Sequence, residues 1–456
     1  MPESIKLDRK HPTYLAQFAE WQKARDCYEG ADCIEGRADY LPKHERETQA
    51  NYINRLKRAA YTNFCLPIIE NFTGQIWRNS PVRELPERMS SLVEDVDRQG
   101  APADAFFKSV TQDAQVEGIR FVLVDYPDTR NVRDRQQEQL LRIRPYFVEI
   151  DSRRVLDWAF AQRPDGSRQL AWVVIEEEIE LEGVPFIERK AETRYRVWYL
   201  DRWQVWRHDP KTDKAEMLDE GRNSIGEVPL VPFYSDFKGP FCGRSALHGV
   251  LSLCLAHYRK WSDRDNSEFW AGMPTWVFKN WPEDSEVVIG SGNGIVTPNR
   301  DSDVEIIEHS GTAIESMRKT EMDIISAIFD IAMRQVRRTT RLVESAESKR
   351  IDRDNISSVL QERARRFQAA ETRCWQLAAK WLGQDPGAIR IQYNQEMEPE
   401  GASDGLFSQL NTARQNGDIS RRTFLEWLQK RRVLDEKLQV DQELVRIQNE
   451  VDEMMP

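Results

Sequence analysis

Between Arg244 and Arg337 the residues lay out a long helix, a short β-forming insert and a second long helix, in that order. From about Ser245 to Trp270, the residues Leu247, Val250, Leu251, Leu255, Tyr258 and Trp261 recur at the helical period. At about 1.5 Å per residue, such a helix is roughly 40 Å long. The insert, Ala271 to Gly311, holds β segments at 275–279, 287–289, 295–297 and 304–308, separated by Pro, Gly and Asn turns. A helix over Ala313–Arg337 then returns, and its middle, which includes Ile324, Ile325, Ile328 and Phe329, is apolar almost all round. A helix apolar on every side must be covered on every side. The preceding helix supplies one cover. Neighbouring copies in a ring would supply the rest, and the competing reading is an ordinary central helix of a monomer.

A basic loop comes next, with Arg334, Arg337, Arg338, Arg341, Lys349 and Arg350 against Glu344 and Glu347. Guanidinium groups bind phosphate by paired hydrogen bonds without reading base sequence. Cations at a helix C-terminus also complement its dipole, so two roles stay open for these arginines. A third long helix, about Ala346 to Leu382, carries the stripe Val359, Leu360, Phe367, Cys374 and Trp381, and Gly383 and Pro386 end it.

Upstream, residues up to about Lys43 read as a loose arm with one helix, Tyr14–Arg25. A helical pattern from Glu45 to Trp77 is kinked or split by Pro67. A helix over Ala105–Glu117 leads through Gly118 into the buried strand Phe121–Pro127. Further strands are expected at 144–150, 155–161, 170–180, 192–200 and 202–207, the last two as a hairpin about Asp201, with 229–234 as a short edge segment. The stretch 45–243 is thus a mixed α/β domain. Beyond a short strand at 389–393, the tail is helical from about Leu406, with a break at Asn416–Asp418 and a new start at Ser420.

The residues exclude more chemistry than they indicate. The formal net charge of -11 argues against an outer surface that wraps nucleic acid, though not against DNA passing a weakly attractive channel. No apolar run reaches membrane-spanning length, and the charged start lacks a signal-peptide stretch, so cytosolic synthesis is expected. The six cysteines are scattered with no CxxC pair, which suggests buried or idle thiols and neither a zinc site nor disulfides. Gly290–Gly294 is followed by a strand and no lysine, so it reads as a hairpin turn and not a phosphate loop. Asp95–Gly100 resembles the start of a calcium loop, but the twelfth position is Phe106 where a bidentate Glu belongs. No HExxH or GxSxG motif occurs, and no cofactor, metal or catalytic residue is expected.

Several local patterns carry a resemblance. One is Tyr52–Phe64 followed by Asn71–Trp77. Another is Asp97–Gly100, Ala105–Phe106, Gly118 and Val122–Pro127. Glu344–Ala346 opens the third long helix, and Gly417–Ser420 marks the tail. In this order, and joined to the helix–insert–helix layout, they make the chain similar to phage portal proteins, within a phage family long catalogued as a domain of unknown function. The resemblance implies an α+β multidomain subunit of a homo-oligomeric ring, usually a dodecamer, at one capsid vertex. It implies a wing over 45–243, stem helices over 244–270 and 312–337, a clip over 271–311 and a tunnel loop over 338–348. A long wing helix over 349–383 and a short helical crown within 384–456 would come after these, with the arm 1–44 unassigned. The implied partners are other copies, double-stranded DNA, the large terminase, the major capsid protein and head–tail adaptor or tail proteins. The implied role is mechanical, with the energy supplied by the terminase. The alternatives are a nucleic-acid-processing enzyme, which predicts a carboxylate cluster that does not stand out, and a head–tail adaptor, which is usually shorter.

Overall fold

The computed structural model describes residues 6–127, 143–181, 191–209, 214–272, 275–281, 301–307, 311–334, 346–394, 410–430 and 439–454. They form two compact units, Met1–Gln395 and Glu396–Pro456. Helix and strand are both abundant, so the chain is α+β. Among the described residues, no helix is long and apolar enough to cross a membrane.

In the first unit the helices are α1 (Pro12–Glu29), α2 (Ala31–Ile34), α3 (Gln49–Arg58), α4 (Cys65–Ile76), α5 (Glu87–Ser90), α6 (Ala103–Glu117), α7 (Leu251–Ala271), α8 (Thr312–Arg334) and α9 (Ala346–Trp381). The largest sheet is an antiparallel meander of five strands, β4 (Val155–Gln162), β5 (Arg168–Glu180), β6 (Ala191–Tyr199), β7 (Arg202–His208) and β8 (Ala215–Arg222). A second sheet has the order β3 (Tyr146–Ile150), β2 (Ile119–Asp125), β9 (Leu230–Tyr234). Three two-stranded pairs complete the unit. They are β1 (Val82–Glu84) with β14 (Arg390–Gln392), β10 (Asp236–Gly239) with β11 (Cys242–Arg244), and β12 (Thr275–Lys279) with β13 (Asp303–Ile307).

β2 is buried along nearly its whole length, as its apolar run requires. Its neighbour β9 lies at the sheet edge, where Pro232, opposite Phe121, costs no ladder hydrogen bond. The β6–β7 hairpin turns at Asp201 as expected. β8 has no counterpart among the expected strands. Its sequence AEMLDEGR lacks apolar alternation because it is a half-exposed edge strand, held in part by the Arg207–Glu216 ion pair at 2.9 Å.

The N-terminal arm is not loose. Helix α1 packs Tyr14 and Trp21 into the same core as Phe121, Trp158, Val173 and Trp198. Arg25 locks it to α6 through Glu117 at 2.8 Å and Asp113 at 3.1 Å. The sequence misleads here because the helix offers no clean amphipathic stripe. Its inner face mixes aromatic rings with Gln17, whose Nε2 donates to Phe241 O, and Asp26, whose carboxylate accepts from the Tyr40 hydroxyl. The pattern over 45–77 is split into α3 and α4, with Pro67 in the first turn of α4, where its missing N–H is harmless.

Two glycines join the sheets to the helix pair α7–α8. Gly118 caps α6 with φ +95°, and a Cβ on Gly243 would overlap the Gly118 carbonyl oxygen. Backbones this close admit only hydrogen as a side chain. Just beyond the crossing, the Ser245 hydroxyl donates to Val116 O at 2.6 Å and accepts from Leu247 N–H at 2.9 Å. Residues 245–250 are therefore a tight turn, and α7 starts at Leu251, later than the sequence pattern suggests.

Helix α9 is the spine of the unit, roughly 54 Å long at the usual helical rise. Phe367, Cys374, Trp375, Leu377 and Ala378 are buried against the three-stranded sheet and α6, with Trp375 5.1 Å from the Phe147 ring. Its Glu371 is fully buried and fully used: Arg83 Nε donates at 2.6 Å, Trp375 Nε1 at 3.0 Å and the Tyr393 hydroxyl at 2.7 Å. This carboxylate clamps the β1–β14 pair onto the spine.

In the second unit, residues 410–415 are helical, and α10 (Arg421–Lys430) and α11 (Val440–Met454) come after them. The break falls at Gly417, φ +83°, and Ser420 Oγ caps α10 by accepting from Thr423 N–H at 3.1 Å.

Candidate functional site

Helices α7 and α8 run antiparallel. Near one end Gly249 approaches Ile331, and further along Arg264 Nε donates to Glu321 at 2.6 Å. The turn between them contains the β12–β13 hairpin, whose register sets Val277 opposite Glu305 and Lys279 opposite Asp303. Lys279 also reaches Glu305 diagonally at 2.5 Å. Asn280, with φ +51°, closes the described end of the hairpin through Asp301 O and Ser302. Of the four β segments expected in the insert, 275–279 and 304–308 match this pair. The segments 287–289 and 295–297 and the Gly290–Gly294 turn lie outside the described residues.

Helix α7 is anchored on one side by α3 and α4. Tyr61 packs edge-on to Tyr258, Arg58 stacks 4.1 Å from the Phe269 ring centroid, and Cys65 Sγ lies 3.7 Å from Cys254 Sγ. The cysteines that look scattered in sequence thus meet in three dimensions. Cys27, Cys65 and Cys254 share one buried seam where α1, α4 and α7 join. The hydrogen bond with Cys65, then burial, pushes the Cys27 thiol up; the hydrogen bond with Cys254 does the same for Cys65. All three cysteines are buried, and the seam packs the three helices together.

Between α7 and α8 sits a small charged cluster. Glu321 takes Arg264, and His257 Nε2 lies 3.4 Å from its other oxygen. Burial pulls the His257 pKa below its ordinary value, against the pull of Glu321, and the Phe64 ring closes over the imidazole edge-on at 5.0 Å.

The four apolar positions singled out on α8 divide. Ile328 is fully buried, Ile324 and Ile325 are half-buried, and Phe329 is 46% exposed although its ring edge touches Phe64 at 6.1 Å. Met322, about two helical turns earlier on the same face, is 58% exposed. Phe269 and Trp270 at the far end of α7 are exposed as well. Of the four arginines, Arg334 is the last described residue of α8, and Arg337, Arg338 and Arg341 lie outside the described residues.

The Asp95–Gly100 loop is a self-contained turn. Asp97 accepts from the Gln99 and Ala101 N–H groups at 2.8 and 3.0 Å, Asp95 accepts from Gly100 N–H at 2.9 Å, and Arg144 pairs with Asp95 at 2.5 Å. Its carboxylates are committed to backbone and guanidinium.

Residues 247–382, which run from the turn before α7 through α8 to the end of α9, match a family described as a domain of unknown function, DUF4055. The match covers less than half of the chain, but it takes in the whole helix–hairpin–helix unit and the spine. No curated protein matches the chain. Among solved structures, a chain from the neck of a native gene transfer agent particle computed with C12 symmetry aligns over 80% of this chain and 89% of its own, at 12% identity and TM-score 0.43. A chain from the neck of an empty particle computed with C6 symmetry aligns over 85% and 95%, at 12% identity and TM-score 0.38. One from the virion of the native particle aligns over 86% and 97%, at 11% identity and TM-score 0.38. At these identities and scores the likeness carries no argument about what this chain does.

Proposed function

We propose that this chain is a structural subunit of a phage portal: a homo-oligomeric ring, as a dodecamer, through which DNA enters and leaves the capsid. One observation carries the reading. An antiparallel helix pair closed by a β hairpin leaves Met322 and Phe329 of its return helix, and Phe269 and Trp270 of its partner, exposed in the single chain. Such side chains, two of them on one face of the return helix and two at the end of its partner, are what copies packed side by side would bury.

In this reading α7 and α8 line the channel as the stem. The region 271–311 is the clip that meets the large terminase and later the tail or adaptor proteins. The sheets and α9 form the wing that faces the major capsid protein. Arg334, Arg337, Arg338 and Arg341 touch DNA phosphates transiently and without sequence preference. The chain supplies no catalysis; the terminase drives translocation.

The test is the mass and image of the purified full chain. Rings with a central hole are expected, and Phe329→Asp with Met322→Asp should yield monomer. A clean monomer of the unaltered chain under all assembly conditions, capsid extracts included, would reject the reading. Replacing Arg337, Arg338 and Arg341 with Ala should leave rings intact and impair DNA packaging or retention. Deleting residues 275–308 should abolish motor docking while the wing still folds.

A further inference from the structure

A groove of about 500 Å³ lies away from the helix pair, lined by the β4–β5 turn, β9, the β10–β11 hairpin and α9. Leu230, Phe241 and Leu377 form its buried floor, and Phe160, Leu170 and Pro232 its half-buried walls. Phe237 stands at the mouth, 56% exposed, with its ring edge-on to Tyr234 at 5.0 Å. The floor is held firmly. Phe241 adopts φ +54°, its N–H donates to the Tyr234 hydroxyl at 3.0 Å, and its carbonyl accepts from Gln17 at 3.2 Å. A non-glycine residue kept in this conformation is kept there by its surroundings.

The charge at the mouth runs against that of the chain. Arg163, Arg168 and Arg373 line it against a single carboxylate, Glu227, to which both Arg373 and Lys380 are already bound. The chain as a whole carries a formal charge of -11. Arg163 is steered by Gln169, whose Oε1 accepts from its Nε at 2.7 Å.

The third element is backbone. β4 is an edge strand: β5 takes one side, and on the other His11 N–H donates to Leu156 O at 2.9 Å. Past that point, among the described residues, no backbone group pairs with 159–162 on the open side, and this is the end of β4 that borders the groove. An open strand edge beside apolar pockets is the geometry that accepts an added strand.

We propose that this groove docks a short extended peptide of alternating acidic and apolar residues, carried by a partner protein. The peptide pairs its backbone with the β4 edge, seats apolar side chains on Leu230, Phe241 and Leu377, and sets carboxylates against Arg163, Arg168 and Arg373. Nucleic acid fits less well, because a phosphodiester chain makes no use of an open strand edge. The proposal does not depend on the ring.

The probe is a fluorescein-labelled octapeptide of alternating Glu and Leu, titrated into the full chain and followed by anisotropy. Its Lys–Leu counterpart, a copy N-methylated at alternate backbone positions, and an oligothymidylate of equal charge are run beside it. Binding of the Glu–Leu peptide alone is expected, weakening with salt and falling by about tenfold or more in the double variant R163E and R168E with an unchanged melting midpoint. Equal binding of the N-methylated or Lys–Leu peptide would overturn the proposal, as would no peptide binding at all. Oligothymidylate binding as tightly, and lost in the same variant, would mark the groove as a nucleic-acid surface. A change in the sedimentation of the free chain in that variant would mean that a second copy fills it.

Discussion

Helices α8 and α9 are both long, both rich in apolar residues, and adjacent in sequence, yet they are satisfied to different degrees. α9 buries Leu360, Phe367, Cys374, Trp375 and Leu377 within its own chain, and its deeply buried carboxylate Glu371 has three donors. α8 buries Glu321, Ile328 and Ala332, and leaves Met322 and Phe329 in the open. α9 lies in a bed built from two sheets and α6, whereas α8 has α7 and the edge of Phe64. Apolar content alone therefore does not say where a helix sits. What distinguishes the two is how much surface the described residues lay against each helix, and α8 receives less of it than α9.

Substitution tests this contrast. Glu371→Ala leaves buried Arg83 with Asp104 as its remaining carboxylate and takes the acceptor from Trp375 and Tyr393, and it should cost roughly 3 kcal/mol or more in urea unfolding of the full chain. A loss below about 1 kcal/mol would mean the spine is not clamped as described. Ile328→Ala removes an apolar α8 side chain that is fully buried and should cost about 3 kcal/mol. His257 gives a smaller, pH-dependent effect. Its folded pKa lies below the ordinary 6.5, so the unfolded chain takes the proton first. Stability should then fall as pH drops below about 6.5, by at most about 1.4 kcal/mol per pH unit, until the folded pKa is passed. Glu321, Arg264 and Phe64 are the groups that face this imidazole. Thermal unfolding from about pH 7.5 to 5.5 should show this slope in the native chain and a shallower one in His257→Phe. The smallest effect separates the two helices most cleanly. Phe329→Ser should change the stability of the single chain by no more than about 0.5 kcal/mol, yet it should lower the mass of any assembly. A large loss of stability in the isolated chain would place Phe329 in its own core.

Much of this architecture is legible in residue order. The 3.6-residue period over α7, α8 and α9 and the apolar run of β2 are strong local signals, and each element appears near where its pattern puts it, although α7 begins later and β2 earlier than expected. The features that escape are decided by contacts between distant residues. Nothing in residues 12–29 announces that Tyr14 and Trp21 meet Trp158 and Trp198, because the partners lie more than a hundred positions away. β8 is a strand because β7 offers it an edge, not because its own side chains favour one. The seam of Cys27, Cys65 and Cys254 is likewise invisible to spacing, since three helices bring it together. At the candidate site, the helix pair and hairpin are legible, and so is the excess of apolar residues on α8. Which of them α7 covers is not, because that depends on the helix crossing.

The Gly118–Gly243 crossing has a mechanical corollary. The chain leaves its sheets for the helix pair through a gap that a single methyl group would block, and the Ser245 hydroxyl staples the exit to Val116. A joint with no clearance transmits torque and does not absorb it. The crossing is therefore a stiff point between the sheets and the helix pair.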